Sequence, residues 1–311
     1  MKIQGQEMQA FKGLKEFFNS QRHAKRLGEK IIYSLRAERL HEKILDCKEM
    51  GVSSQKYGES ELLVSLTTYG KRFYSVATTI ESIMQGTIKP NRIVLWLDHS
   101  FENKAIPVAL QKQVERGLEI CFCNDIKSYQ KLIPSLKKYP EATIITIDDD
   151  AIYDYDLVER LLYSHSIFPN MIIANRVHQI KLDRNKKPLS YNKWRWRKTL
   201  DDASPLNFMT GVGGVLYPLH CLDDEIFNES VFVDICKYND DIWFYAMALK
   251  KGTIVKKSIS HSQYGEDFVL NEDVQDISLN KQNLNSQNCR NDIQFKAVFD
   301  KYNLYEKFLN L

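Results

Sequence analysis

Residues 142–150 read A-T-I-I-T-I-D-D-D, a run of apolar and β-branched residues that passes straight into three carboxylates. β-Branched residues in a short unbroken run fit a strand buried on both faces, which is the signature of a parallel sheet. The spacing predicts a strand over Ala142–Ile147 with Asp148, Asp149 and Asp150 at its carboxyl end. Working backwards, Leu62–Thr67 (L-L-V-S-L-T), Arg92–Leu97 (R-I-V-L-W-L) and Leu118–Phe122 (L-E-I-C-F) read as three more strands. Helical segments fall between them at Tyr74–Met84, Val108–Arg116 and Tyr129–Lys138, and another follows at Leu157–Ser166. Strand–helix alternation of this kind predicts an α/β fold, a mostly parallel sheet flanked by helices. Ligands in such sheets bind outside the carboxyl ends of the strands. That rule places Thr67–Arg72, Asp98 and Asp148–Asp150 along one rim.

Three carboxylates at the end of a buried strand repel one another and raise one another's pKa. A hard divalent cation, Mg2+ or Mn2+, relieves the repulsion and bridges to phosphate oxygens. Continued strand geometry would turn Asp148 and Asp150 to one side and Asp149 to the other, so Asp148 and Asp150 are the pair expected to share a ligand. The competing reading is an acidic loop that caps the next helix together with Asp154 and Asp156.

The flanks are less regular. The first ~50 residues hold no proline and are rich in helix formers; they predict a helical arm. Its apolar residues (Leu27, Ile31, Ile32, Leu35) alternate with Arg22, Lys25, Arg26 and Lys30, so the arm suits packing on the main domain or a partner subunit, or lying on an anionic membrane. Gly51–Gly58 breaks the pattern. Met171–Ala174 reads as a strand, F-M-T-G-V-G-G-V-L-Y (Phe208–Tyr217) as a glycine-marked strand pair, and Asp240–Leu249 as a helix. Asn271–Asn291 reads as polar loop and Phe295–Leu309 as a closing amphipathic helix. Lys186–Lys198 interleaves basic residues with Tyr191, Trp194 and Trp196, a composition suited to an acceptor-side loop or lid, a membrane interface or stacked bases.

Bulk properties bound these readings. The 311 residues are 43% hydrophobic and 27% charged, as for a globular protein, and the net charge of +3 gives no overall preference for polyanions. The six cysteines form no C-x-x-C pair, which removes the usual zinc and redox spacings. The first residues show no apolar signal core, and no apolar run is long enough to span a bilayer. The expected location is cytoplasmic, with or without peripheral contact at the inner face of a membrane.

Four segments together resemble the GT-A class of glycosyltransferases, and within it the family 2-like enzymes of capsule and lipopolysaccharide synthesis. They are V-S-L-T-T-Y-G-K-R (Val64–Arg72), I-V-L-W-L-D (Ile93–Asp98), Y-Q-K-L-I-P-S-L with I-T-I-D-D-D-A-I-Y-D (Tyr129–Asp154), and T-G-V-G-G-V-L-Y-P (Thr210–Pro218) followed by N-D-D-I-W-F (Asn239–Phe244). The resemblance implies a nucleotide-sugar donor, a glycan or lipid-linked acceptor and Mn2+ or Mg2+. It implies an N-terminal arm over residues 1–57, a catalytic domain over 58–258 (nucleotide half 58–156, acceptor half 157–258) and an extension over 259–311. Oligomerisation through the arm stays open, and nucleic acid is not expected.

By the same resemblance Thr67, Thr68, Tyr69, Arg72, Asp98, Lys131, Asp148 and Asp149 would serve the donor nucleotide. Asp148 and Asp150 would hold metal, with His261 as a late ligand. Gly213, Gly214, Trp194 and Trp196 would line the acceptor side. Asp241, or its neighbour Asp240, would be the base of an inverting displacement. The family pattern reads Glu-Asp there and this chain Asp-Asp, which leaves open which carboxylate faces the acceptor. A sugar nucleotidyltransferase and a non-enzymatic basic scaffold for RNA or membrane are the alternatives. The first lacks its G-x-G-x-R loop here; the second leaves the acids unexplained.

Overall fold

The apolar runs order themselves around one sheet in a computed structural model. It describes residues 2–196, 202–261, 267–277 and 289–309, with backbone alone for 2–19 and 22. Strand β1 (Glu61–Thr67) lies between β2 (Arg92–Asp98) and β4 (Ala142–Thr146), and β3 (Leu118–Cys123) takes the edge beyond β2; all four are parallel. On the other side of β4, β9 (Val215–Tyr217) runs antiparallel, followed by β6 (Ile172–Ala174) and β10 (Val255–Lys257). The sheet therefore has seven strands in the order β10-β6-β9-β4-β1-β2-β3. This is the α/β class, mostly parallel and flanked by helices, that the sequence predicts, with an N-terminal helical arm and a C-terminal helical extension.

Period-two alternation divides the core between the two faces. Leu62, Val64 and Leu66 pack on one side, with Ile80 and Met84 of α2 (Val76–Met84), Leu110 of α3 (Val108–Val114) and Leu161 of α5 (Leu157–Ile167). Leu63 points to the other side, with Ile133 of α4 (Ile133–Lys138) and Trp243 and Phe244 of α7 (Asp240–Lys251). Phe295 and Phe299 of α8 (Arg290–Tyr302) close that layer. Each fully buried side chain of this size contributes roughly 1.5–3 kcal/mol. Helix α6 (Glu229–Ile235) packs against α8, and α9 (Glu306–Leu309) ends the described chain with Phe308 buried.

The arm is a single helix, α1 (Lys2–Asp46), whose C-terminal part lies on α2 and α3. It also meets two strands that pair with each other, β5 (Ala151–Tyr153) and β11 (Phe268–Leu270). A further pair, β7 (Val177–Gln179) with β8 (Asn207–Met209), stands beside β10. Among the described residues no helix is long and apolar enough to cross a membrane.

The acidic run departs from the strand that leads into it. β4 ends at Thr146, and Asp149 and Asp150 occupy a turn before β5. The expectation that Asp148 and Asp150 would share one side of a continuing strand is therefore corrected. Beyond the last ladder bond the pleat no longer dictates direction, and each carboxylate turns to the nearest cation. The short helical stretch expected over Tyr129–Lys138 is present as a 3-10 turn (Lys127–Lys131) followed by α4, and the turn aims Lys131 inward.

Candidate active site

The carboxyl ends of β1, β2 and β4 stand level, with Thr67 opposite Trp96 and Ser65 opposite Thr146. Two buried cations organise the carboxylates gathered at this rim. Arg72, on the turn after β1, donates from one nitrogen to Asp149 (2.8 Å) and from another to Asp150 (2.9 Å). Thr68 donates to the second oxygen of Asp149 at 2.6 Å, so both Asp149 oxygens are engaged by the protein. Gln275, from the C-terminal segment, donates to Asp150 at 2.7 Å. Lys131 reaches Asp148 and Asp240, each at 2.9 Å.

Asp240 and Asp241 open α7 without capping it. The N-cap is Asn239, whose side chain accepts from the Ile242 N–H, so both aspartates turn toward the site. The Asp241 carboxylate accepts from the Gly211 N–H at 3.0 Å. A Cβ on Gly211 would lie 2.5 Å from Lys131 Nζ and 3.0 Å from Asp241 Oδ1. A side chain there would displace Lys131, and Lys131, Asp148 and Asp241 all meet at this point. Tyr153 braces the same centre, accepting from the Asp148 N–H (3.0 Å) and donating to the Val212 carbonyl (2.9 Å).

This crowding sets the electrostatics. Burial raises Asp149 to about 7 against the lowering pull of Arg72. Burial likewise raises Asp150, opposed by Arg72 and reinforced by Asp148. Asp241 is raised to about 7 by burial and then by Asp240, with Lys131 opposing. Burial works to lower Lys131, but Asp148, Asp240 and Asp241 outweigh it and hold the ammonium well above its usual range.

Five carboxylates around two cations leave an excess of negative charge, all on hard oxygen donors. That chemistry fits Mg2+ or Mn2+. Among the described residues no three His, Cys, Asp or Glu side chains form a closed cage. Such cations commonly take one or two carboxylates and share the rest of their shell with water and phosphate. Asp148 and Asp150 would hold a cation of that kind.

The remaining predicted residues spread along the rim and beyond it. Thr67 donates to the Trp96 carbonyl at 2.9 Å, and Tyr69 lies beneath the Arg72 guanidinium. Asp98 accepts from the Ser100 N–H and caps the turn after β2. His261 bonds Asp156 at the start of α5, and the structure does not bring it to Asp148 or Asp150 through any described bond. Gly213 packs on the Arg176 backbone, and Gly214 has φ +89°. Trp194 is corrected as a lid residue. It is 4% exposed, its indole N–H donates to the Leu189 carbonyl, and its ring packs on Tyr191, Phe208 and Phe295. A buried tryptophan needs such a partner for its N–H, and the turn Tyr191–Lys193 supplies the approach. Trp196, by contrast, is 41% exposed. Arg197 and Lys198 of the same basic segment lie outside the described residues.

Sequence reasoning missed Gln275, Tyr153, Gly211 and Arg176. Gly211 and Tyr153 lie inside the segments that carry the resemblance, whereas Gln275 lies in a polar stretch with no periodicity to single it out.

No family model matches the sequence, and no curated protein matches it. Among solved structures the chain is similar to CMP:2-keto-3-deoxy-manno-octonic acid synthetase complexed with CTP, at 12% identity and a TM-score of 0.36, over 64% of this chain and 89% of that one. It is also similar to S. aureus TarS 1–349, at 13% identity and a TM-score of 0.43, over 66% of this chain and 59% of that one. A third similarity is to the mannosyltransferase PcManGT from Pyrobaculum calidifontis, in complex with GDP-Man and Mn2+, at 15% identity and a TM-score of 0.31. That match covers 48% of this chain and 43% of the other. The chain therefore spans less than two thirds of the last two. Likenesses at this distance carry no functional argument.

Proposed function

We propose that this chain is a glycosyltransferase that moves a sugar from a nucleoside diphosphate donor to a glycan or lipid-linked acceptor, with inversion and with Asp241 as base. The observation that supports it is the Lys131 ammonium, which gathers Asp148 from the end of β4 and Asp240 from the start of α7. A donor-side acid and the acceptor-side acids thereby share one centre at the carboxyl edge of the sheet. In this reading the donor lies along Thr67, Thr68, Tyr69, Arg72 and Asp98, with UDP the favoured nucleotide.

Sugar transfer breaks the bond from the anomeric carbon to the diphosphate oxygen and forms one to the acceptor oxygen. Negative charge grows on the leaving phosphate, and Arg72 and Lys131 supply fixed positive charge beside it. Asp148 and Asp150 would hold Mn2+ or Mg2+, which would supply Lewis-acid stabilisation of the same charge. Asp241 takes the acceptor hydroxyl proton as the new bond forms. The Gly211 N–H fixes the orientation of its carboxylate.

Calorimetry with UDP and GDP, with and without Mn2+, on the native protein and on Asp150→Asn tests this. Metal-dependent nucleotide binding that the variant loses is expected. A folded native protein that binds neither nucleotide would remove the reading.

A further inference from the structure

We infer that Arg176 and Trp196 form an acceptor subsite selective for a negatively charged saccharide; this rests on the glycosyl-transfer reading above. The charge distribution carries the first part. Residues 176–196 contain seven Lys or Arg against one acid, in a chain whose net charge is only +3. Most of this charge is exposed on the segment that follows β7, including Lys181, Lys187 and Lys193. A basic lobe on an otherwise near-neutral molecule favours an anionic ligand and raises its local concentration.

Placement carries the second part. Arg176 precedes β7 and donates from Nε to the Thr210 hydroxyl at 2.7 Å. Thr210 is the neighbour of Gly211, whose N–H holds Asp241. Arg176 also fills the space a Cβ on Gly213 would need, which would lie 2.7 Å from Arg176 Cβ. Arg176 is therefore fixed to the segment that also carries the Gly211 N–H bound to Asp241.

The third part is a fixed aromatic surface. Trp196 stacks on His178 at 5.0 Å between ring centroids and 27° between planes. His178 is itself buried, and it lies two residues beyond Arg176. The backbone at Arg195 is pinned to Gln179 by reciprocal bonds of 2.8 and 2.9 Å. One half-exposed indole with a rigid backing suits the C–H face of a sugar ring, and little entropy is lost on binding. Single-stranded nucleic acid sites use successive stacking platforms. In the described part of this lobe Tyr191 and Trp194 are buried, leaving Trp196 as the presented indole.

Binding of tetragalacturonate, a mannose-6-phosphate-terminated oligosaccharide and neutral maltotetraose to the full chain tests the inference. A 20-nucleotide single-stranded RNA and phosphatidylglycerol vesicles form the other arms. At least one charged saccharide should bind about tenfold more tightly than maltotetraose. Trp196→Ala and Arg176→Gln should each weaken that binding about tenfold, and Trp196→Phe should restore most of the first loss. The inference is overturned if no charged saccharide is preferred, if both variants bind like the native chain, or if RNA or vesicles bind more tightly and lose binding in the same variants. Unchanged melting temperatures exclude misfolding as the cause of a loss. UDP binding with Mn2+ on the same preparations reads the proposed function separately. Retained nucleotide binding without saccharide preference removes this inference alone, and absent nucleotide binding removes the reading beneath it.

Discussion

Asp241 concentrates the chemistry into one testable carboxylate. Its pKa stands at about 7, above the ordinary 3.8, because burial and the Asp240 charge oppose ionisation more than Lys131 assists it. A base acts in its ionised form, so kcat/KM should rise about tenfold per pH unit below about 7 and level off above it. The linkage runs the other way for stability. The folded state binds this proton more tightly than the unfolded chain, so the contribution of Asp241 favours folding at low pH and is lost as pH rises from about 4 to about 7. Asp241→Asn should abolish the acid limb and lower kcat by roughly 10²–10⁴-fold, while nucleotide binding by calorimetry stays near native. Gly211→Ala tests the same centre by crowding. Its Cβ would meet Lys131 Nζ at 2.5 Å, and two carboxylates hold that ammonium in place. The expected outcome is a loss of turnover together with about 1–3 kcal/mol of stability in urea unfolding. Native-like rates and midpoint would show that Lys131 gives way freely.

At the scale of elements, two tryptophans two residues apart should behave in opposite ways. Trp194 fills a site between Tyr191, Phe208 and Phe295, and its replacement by Ala should cost about 3–5 kcal/mol through the cavity left behind. Trp196→Ala should change stability by much less, since its ring is half in solvent. Chemical denaturation of the two variants side by side reads the contrast. Composition alone makes the pair look equivalent, because a run of basic and aromatic residues shows neither which ring turns inward nor which backbone carbonyl accepts the indole proton. The long parallel strands are legible, as their apolar runs are bounded by turn residues. Strands β5, β7 and β11 have three residues each, too few to show any period. The three-acid run stands out by its place after β4, but its partition between Arg72 and Lys131 does not, because both cations come from other turns. Helix α7 is readable in outline, as Asp240–Leu249, but its cap is not. The cap proves to be Asn239, and Asn239→Ala should cost about 1 kcal/mol in the same unfolding assay.

Across the whole molecule the arm packs on the body beside the acid centre. Its polar contacts with the body begin, among the described residues, at Lys30 with Asp273 and continue through Arg36 with Asp154 and His41 with Thr78. Ala37 and Ile44 are buried where α1 crosses α2 and α3. Burial, then the Asp150 and Asp273 charges, raise the Tyr33 hydroxyl to about 12. The C-terminal segment meets the arm there, through Lys30 with Asp273, and reaches the same centre. Lys71 bonds the Asp273 carbonyl and Asp276, and Gln275 caps Asp150. The Asp149–Asp150 end of the acid centre is therefore walled by both flanking segments, although the sequence predicts a catalytic unit over residues 58–258 alone. This leads us to propose a division within the arm at about residue 28, rather than independence of the whole arm. Deleting residues 2–28 should leave the urea midpoint and the affinity for UDP with Mn2+ near native. Deleting 2–46 removes the buried Ile44, worth roughly 1.5–3 kcal/mol, with the Arg36 and His41 contacts besides. It should lower stability by several kcal/mol, a large share of the roughly 5–15 kcal/mol typical of a domain, and weaken nucleotide binding. Near-native behaviour of both deletions in both assays would mean that the arm contributes nothing to the acid centre, and would return the boundary to residue 57.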